Sequence, residues 1–207
     1  MRLVHLLKVS RLEGLADGIF AIAMTILVLD LRIPATLITG DLMFILEDTI
    51  FYKLLIYMGS FVILGTLWVA MNFQYGLLDR INRPYLWTNV LYLMAVCVVP
   101  FSASLVGSFP SSKVSISFYA INLLCANIMQ LIIFTYAHFG KLNTNLYTPA
   151  IGRAIIRRIL VAPVCYILCL IMAHWNTHAA FVLLLIPTII YIFPGVIDQY
   201  ETVPDDK

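Results

Sequence analysis

Charge is scarce in this chain. Asp, Glu, Lys and Arg make up 12% of its 207 residues, against roughly 25% in an ordinary soluble domain. Hydrophobic residues reach 62%. That balance excludes a soluble domain of useful size. No basic cluster interleaved with aromatics is present, which argues against nucleic acid as a partner. H-E-x-x-H, a Walker loop, G-x-S-x-G and a close carboxylate pair are all missing, so an enzyme reading has no constellation behind it. No cofactor and no structural metal are expected. Cys97, Cys125, Cys165 and Cys169 all fall inside apolar runs, where Cys is ordinarily a small apolar filler. His138, His174 and His178 sit at run ends, where His is commonly interfacial. There is no internal duplication.

What the chain does have is long apolar runs. A membrane-spanning helix takes about 20 mostly apolar residues. Six runs meet or approach that length: Leu12–Leu31, Phe51–Gln74, Leu86–Leu105, Val114–Ala137, Ile155–Ala173 and Ala179–Phe193. The last is short and is bounded by Pro187 and Pro194. The expected fold is an all-α membrane protein, one six-helix domain over residues 1–207. Connections are short except Pro34–Ile50, where Leu37–Glu47 has the pattern of a small interfacial helix. The basic start resembles the n-region of a signal peptide. The apolar run after it is too long and has no small-x-small cleavage site, so the first helix is expected to stay in the mature protein.

Lys and Arg set the orientation. With six spans, Arg2, Lys8, Arg11, Arg80, Arg83, Lys141, Arg153, Arg157, Arg158 and Lys207 share one side of the membrane. Only Arg32, Lys53 and Lys113 lie on the other. Both termini, residues 1–10 and 196–207, are therefore expected in the cytoplasm.

The first run stands apart. It carries Glu13 and Asp17 near one end and Asp30 near the other. Ionisable groups in a spanning helix are costly and normally face protein or water rather than lipid. At about 100° per residue, Gly18, Ile22, Thr25 and Leu29 fall within roughly 60° of one another, with Ile26 on the flank. Arg11 projects along the same line. Gly14 and Gly18 form a G-x-x-x-G, which lets backbones approach closely. Several copies of this helix around an axis would stack Ile22, Ile26 and Leu29 into apolar rings, with Thr25 as the only hydroxyl in the constriction. The plainer use of an Ile/Leu stripe is packing or lipid contact, and the acids at the helix ends weigh against lipid. With no duplication in the chain, a symmetric pore needs several copies.

Depth groups a second set. Asp17 lies about two turns in, roughly 9 Å from the cytoplasmic end. Trp68 and Asn72 approach the same level on the second helix, and Asn89 on the third. An acceptor-only carboxylate at Asp17 takes bonds from an indole N–H and an amide. The alternative for Trp68 is a plain interfacial aromatic.

Arg11-x-x-x-Leu15-Ala16-Asp17, then Ala21-Ile22-x-x-Thr25-x-Leu27, resembles the signature of the endosomal/lysosomal potassium channel family, transmembrane protein 175 and its prokaryotic relatives. That signature reads R-x-x-x-F-S-D, then A-I-x-x-T-x-L, so Leu15 and Ala16 depart from it. Trp68-Val-Ala-Met-Asn72 is similar to the family's W-x-x-H segment without the His. Leu86-Trp87-Thr-Asn89 and Val99-Pro100-Phe101 are similar to L-x-x-N and L-P-F, and Tyr119-Ala120 and Tyr136-Ala137 fit its fourth helix. The likeness fades after Lys141.

The resemblance implies a single-repeat prokaryotic member in the plasma membrane, a homotetramer with a central pore lined by the first helix. It implies apolar narrowing at Ile22, with Ile26 and Leu29 beyond, and a pore hydroxyl at Thr25. It implies a supporting network at Arg11, Asp17, Trp68 and Asn89, with Asn72 beside it. The expected function is a passive cation channel that favours potassium, with potassium passing near Ile22 and Thr25. An apolar ring gates by dewetting and charges each ion for the water it sheds, which penalises sodium more. The carbonyl filter T-V-G-Y-G is absent, so modest selectivity is expected. The expected partners are copies of itself, the bilayer and monovalent cations. A secondary transporter would want broken helices and a repeat pair; Pro100 and Pro163 are the only hints. A non-transporting scaffold fits the composition but leaves Asp17 and Thr25 unexplained.

Overall fold

Each apolar run folds as one helix. The computed structural model describes residues 8–31, 50–144 and 147–192. The helices are α1 (Val9–Ile26), α2 (Phe51–Gly76), α3 (Arg83–Ser108), α4 (Lys113–Phe139), α5 (Pro149–Met172) and α6 (Thr177–Ile192). The first five are long and apolar enough to cross a membrane, α1 counted together with its 3-10 tail; α6 is a shorter apolar helix of 16 residues. The suggested helix over Leu37–Glu47 and the tail from residue 196 lie outside the described residues.

Local chemistry sets several boundaries. Asn82 caps α3 by accepting from the Tyr85 amide at 3.0 Å, with Pro84 in the first turn. Thr148 caps α5 through the Ile151 amide at 3.3 Å, followed by Pro149. Asn176 opens α6 by accepting from His178 and Ala179 at 3.0 and 3.1 Å. α1 ends differently: Leu27–Asp30 tighten into a 3-10 helix. This corrects the expectation of a uniform first helix over Leu12–Leu31. A 3-10 residue advances about 120° rather than about 100°, so Leu29 is turned by roughly 60° from its ideal α position.

α3 and α4 pack most extensively and form the centre of the bundle. α5 lies against α4, and α6 against α5 and α2. α1 lies on α2 and α3. Proline does not break the spans: α3 and α5 run through Pro100 and Pro163. Beside Pro100, the Asn122 amide of α4 donates to Ala95 O and accepts from Val99 N and Ser102 Oγ, each at 3.1 Å. Asn122 thus bridges backbone groups in the turn that holds Pro100.

The two connections at the start of α3 and α5 are laced together. Asp79 and Arg80 amides donate to Leu142 O, and Thr144 N donates to Leu77 O at 2.8 Å. Arg80 adds a bond from its guanidinium to Lys141 O at 3.2 Å. Lys141 holds a left-handed φ of 51° in this turn.

Candidate functional site

α1 has two faces. Leu12, Ala16, Phe20 and Ala23, continued by Leu27, are buried against the bundle. The opposite face carries Arg11, Gly14, Leu15, Gly18, Ile22, Thr25, Ile26 and Leu29, all exposed in the protomer. The contrast is steep: Phe20 is 1% exposed and Ile22 60%. Every residue placed on the expected constriction therefore shares the uncovered face, although Leu29 sits on the 3-10 segment.

Gly14 and Gly18 belong to that face too. A Cβ at either would meet nothing within 4 Å. Their close-approach capacity is unused inside the protomer. Thr25 donates its hydroxyl hydrogen to Ile22 O at 2.9 Å. That bond leaves the Thr25 oxygen lone pairs as acceptors.

The polar layer separates into two contacts. Trp68 Nε1 donates to Asp17 Oδ1 at 2.8 Å, joining α2 to α1. Asn89 is elsewhere. It is fully buried, accepts from the Tyr75 hydroxyl and donates to Tyr85 O, each at 2.8 Å. So Asn89 ties α3 to α2 and does not reach Asp17. Asn72 is half-buried and makes no side-chain hydrogen bond among the described residues. Arg11 is exposed at the start of α1. Met71, where the family segment has His, is buried in the apolar core.

Two residues at this site were not singled out from sequence. Tyr75 is the partner of Asn89, and a buried Asn in a span calls for such a donor. Ser104 of α3 donates to Asp30 Oδ1 at 2.9 Å, anchoring the far end of α1. An acid at a span end signals a partner but not its identity. A groove of about 360 Å³ runs between α1 and α3 and is lined by Ile22, Ala23, Ile26, Pro100 and Phe101. A second cavity, about 440 Å³, lies at the Asp30 end beside Lys53, Tyr57 and Ser104. Among the described residues no group of three His, Cys, Asp or Glu converges to hold a metal.

This is a multi-pass, all-α membrane protein whose first helix is tied down by polar contacts at both ends and left uncovered on one face. Residues 11–100 match the model of the family described as endosomal/lysosomal potassium channel TMEM175. The matched stretch begins at Arg11 and ends at Pro100, short of Tyr119 and Tyr136. The chain is 31% identical over 100 residues to a potassium channel of Streptomyces collinus, covering 48% of each. It is 30% identical over 117 residues to one of Chamaesiphon minutus, covering 55% of this chain and 58% of that one. The chain thus spans about half the length of the curated relatives it matches. Its fold is that of a crystal structure described as a lysosomal potassium-selective channel TMEM175 homologue from Chamaesiphon minutus. The TM-score is 0.79 at 24% identity, with 89% of this chain and 96% of that chain covered. Over residues 11–100 the chain is therefore similar to the TMEM175 family, and it shares the fold of a solved channel homologue.

Proposed function

We propose that this protein is a passive cation channel that favours potassium, built as a homotetramer with α1 of each copy on the axis. The observation that carries the reading is the uncovered face of α1, where Gly14, Gly18, Ile22, Thr25 and Ile26 are exposed among the described residues. The relatives named as potassium channels support the ion.

In this assembly Ile22, with Ile26 and Leu29, forms the narrow apolar ring. Such a ring has no dedicated ligands. It stays dry when closed and makes each ion lose water to pass. Sodium holds its water more tightly than potassium, so the narrowing favours potassium modestly. Thr25 supplies acceptor oxygen beside the ring, because its hydrogen is committed to Ile22 O. Gly14 and Gly18 let the four helices crowd at the end where Arg11 and Asp17 lie.

Support for the pore helix is a relay. Trp68 holds Asp17, and Asn89 holds Tyr75 on the same α2. Arg11 and Asn72 flank that end. The membrane is the plasma membrane of a prokaryote, with both termini on the cytoplasmic side, as the basic residues favour. Unbroken helices at Pro100 and Pro163 give the transporter reading no support.

Reconstitution into vesicles with a potassium gradient tests the function. Conductive flux with potassium ahead of sodium is expected. Saturable, coupled flux would identify a transporter, and no flux a scaffold. Cross-linking in detergent that saturates at the dimer would reject the tetramer.

A further inference from the structure

Two arginines on α5 have no polar partner among the described residues. Three arginines fall in the first turns of this helix, and they divide sharply. Arg158 turns inward: its guanidinium donates to Tyr191 O at 2.7 Å and lies over the Tyr191 ring, 5.3 Å from the centroid. The Tyr191 hydroxyl returns a bond to Arg158 O at 2.7 Å, closing α5 on α6. Arg153 and Arg157 are exposed, and neither has a hydrogen-bond or ion-pair partner among the described residues.

These two are one turn apart and begin a stripe. Leu160, Val164, Leu168 and Ile171 continue it along the same face, each exposed. The spacing of four, three, four, four and three residues keeps the whole set in register with a 3.6-residue helix. In an α-helix each Cβ tilts toward the N-terminus, so both guanidinium groups lean toward the end of α5 at the membrane boundary. The apolar part runs about 16 Å into the membrane from Leu160 to Ile171, close to half of a hydrocarbon core about 30 Å thick. α5 packs on α4 and α6, while α1 packs on α2 and α3. An assembly centred on α1 therefore leaves this stripe on its periphery.

We infer that the α5 stripe is a binding site for an anionic phospholipid of the leaflet at the N-terminal end of α5. Arg153 and Arg157 hold the phosphodiester, and Leu160, Val164, Leu168 and Ile171 carry an acyl chain. Guanidinium matches phosphate by paired, charge-assisted bonds. Two guanidinium forks with an apolar track behind them select a phosphate that carries a chain, not a free anion. A zwitterionic lipid brings its own cation to the same place and gains less.

Native mass spectrometry of the full chain in nonionic detergent, titrated with phosphatidylglycerol or phosphatidylcholine, tests the site. The wild type is expected to retain phosphatidylglycerol in preference. Arg153→Gln/Arg157→Gln is expected to bind it about a hundredfold more weakly, the loss of two charge-assisted contacts, with phosphatidylcholine unchanged. Arg83→Gln, an exposed arginine on α3, is expected to match the wild type. Equal retention of phosphatidylglycerol by the double variant would overturn the site. So would an equal loss in Arg83→Gln, which means diffuse charge, or displacement of the lipid by inorganic phosphate, which means a plain anion site.

Discussion

The two faces of α1 are both apolar and do opposite things. The inner face alternates bulk and smallness: Leu12, Ala16, Phe20, Ala23. Small residues let α1 close on α2 and α3, and Phe20 fills the space, with Tyr92 at 6.3 Å between ring centroids. The outer face pairs glycine with branched side chains and one hydroxyl, and Ile22, Thr25 and Ile26 are exposed among the described residues. In a soluble helix the outer face would be polar, and periodicity alone would tell the two apart. In a membrane protein hydrophobicity marks both faces. The polar punctuation of Arg11, Asp17 and Thr25 has to separate them.

The comparison breaks most sharply by exchanging consequences. Phe20→Ala removes a buried aromatic and is expected to cost about 3–5 kcal/mol, read as a lowered melting temperature in detergent. Ile22→Asn is expected to leave the melting temperature nearly unchanged. It should instead wet the ring, raise potassium flux about tenfold and weaken discrimination against sodium, since dry passage carries the desolvation cost. A fall in stability at Ile22 with no change in flux would make the outer face a packing surface.

The polar contacts extend the contrast. Asn89→Ala strands the Tyr75 hydroxyl in the core, and leaving such a group unsatisfied costs about 1–3 kcal/mol. Asp17→Asn acts at an exposed contact, where Trp68 keeps an amide oxygen to donate to. Its effect on melting is expected to be smaller, and its effect on flux larger, because Asp17 sits on the helix that lines the axis. Equal melting losses from both would place Asp17 and Asn89 in one energetic unit after all.

Much of this was legible in the residues. Run length located the six helices, because a span must satisfy its backbone internally. The uncovered face of α1 followed from 3.6-residue spacing up to Ile26. Leu29 is exposed on that face as well, but the spacing did not reveal that it sits on a 3-10 turn, whose end is held by Ser104 with Asp30. Shared depth grouped Trp68, Asn72 and Asn89 with Asp17; in the structure Trp68 bonds Asp17, while Asn89 bonds Tyr75. Depth fixes a level but not an azimuth, and Asn89 is turned to Tyr75. The departures at Leu15 and Met71 also resolve: Leu15 is on the uncovered face, and Met71 is packed in the core, where a His would need a partner.

Thr25 sharpens the outer face from within. Thr25→Val keeps the shape and removes the hydroxyl that donates to Ile22 O and keeps its lone pairs as acceptors. Potassium preference over sodium is expected to fall about two- to threefold, less than one weak hydrogen bond, with flux kept. An unchanged ion ratio would leave selection to the apolar ring alone.

The smallest effect belongs to Leu31. It follows the 3-10 segment, its amide donating to Val28 O at 3.1 Å, and it is half-buried. It lines the cavity with Lys53 and Ile56 on the α2 side, whereas the groove holding Ile22 and Ile26 does not include it. A polar side chain there meets that cavity and not the axis. Leu31→Asn is therefore expected to change potassium flux less than twofold, within the effect of one weak contact. Paired with Ile22→Asn, it fixes the rotation of α1. If Leu31→Asn raises the flux while Ile22→Asn behaves as wild type, the lining face is displaced, and the turn at Leu27–Asp30 is where the helix must be rotated.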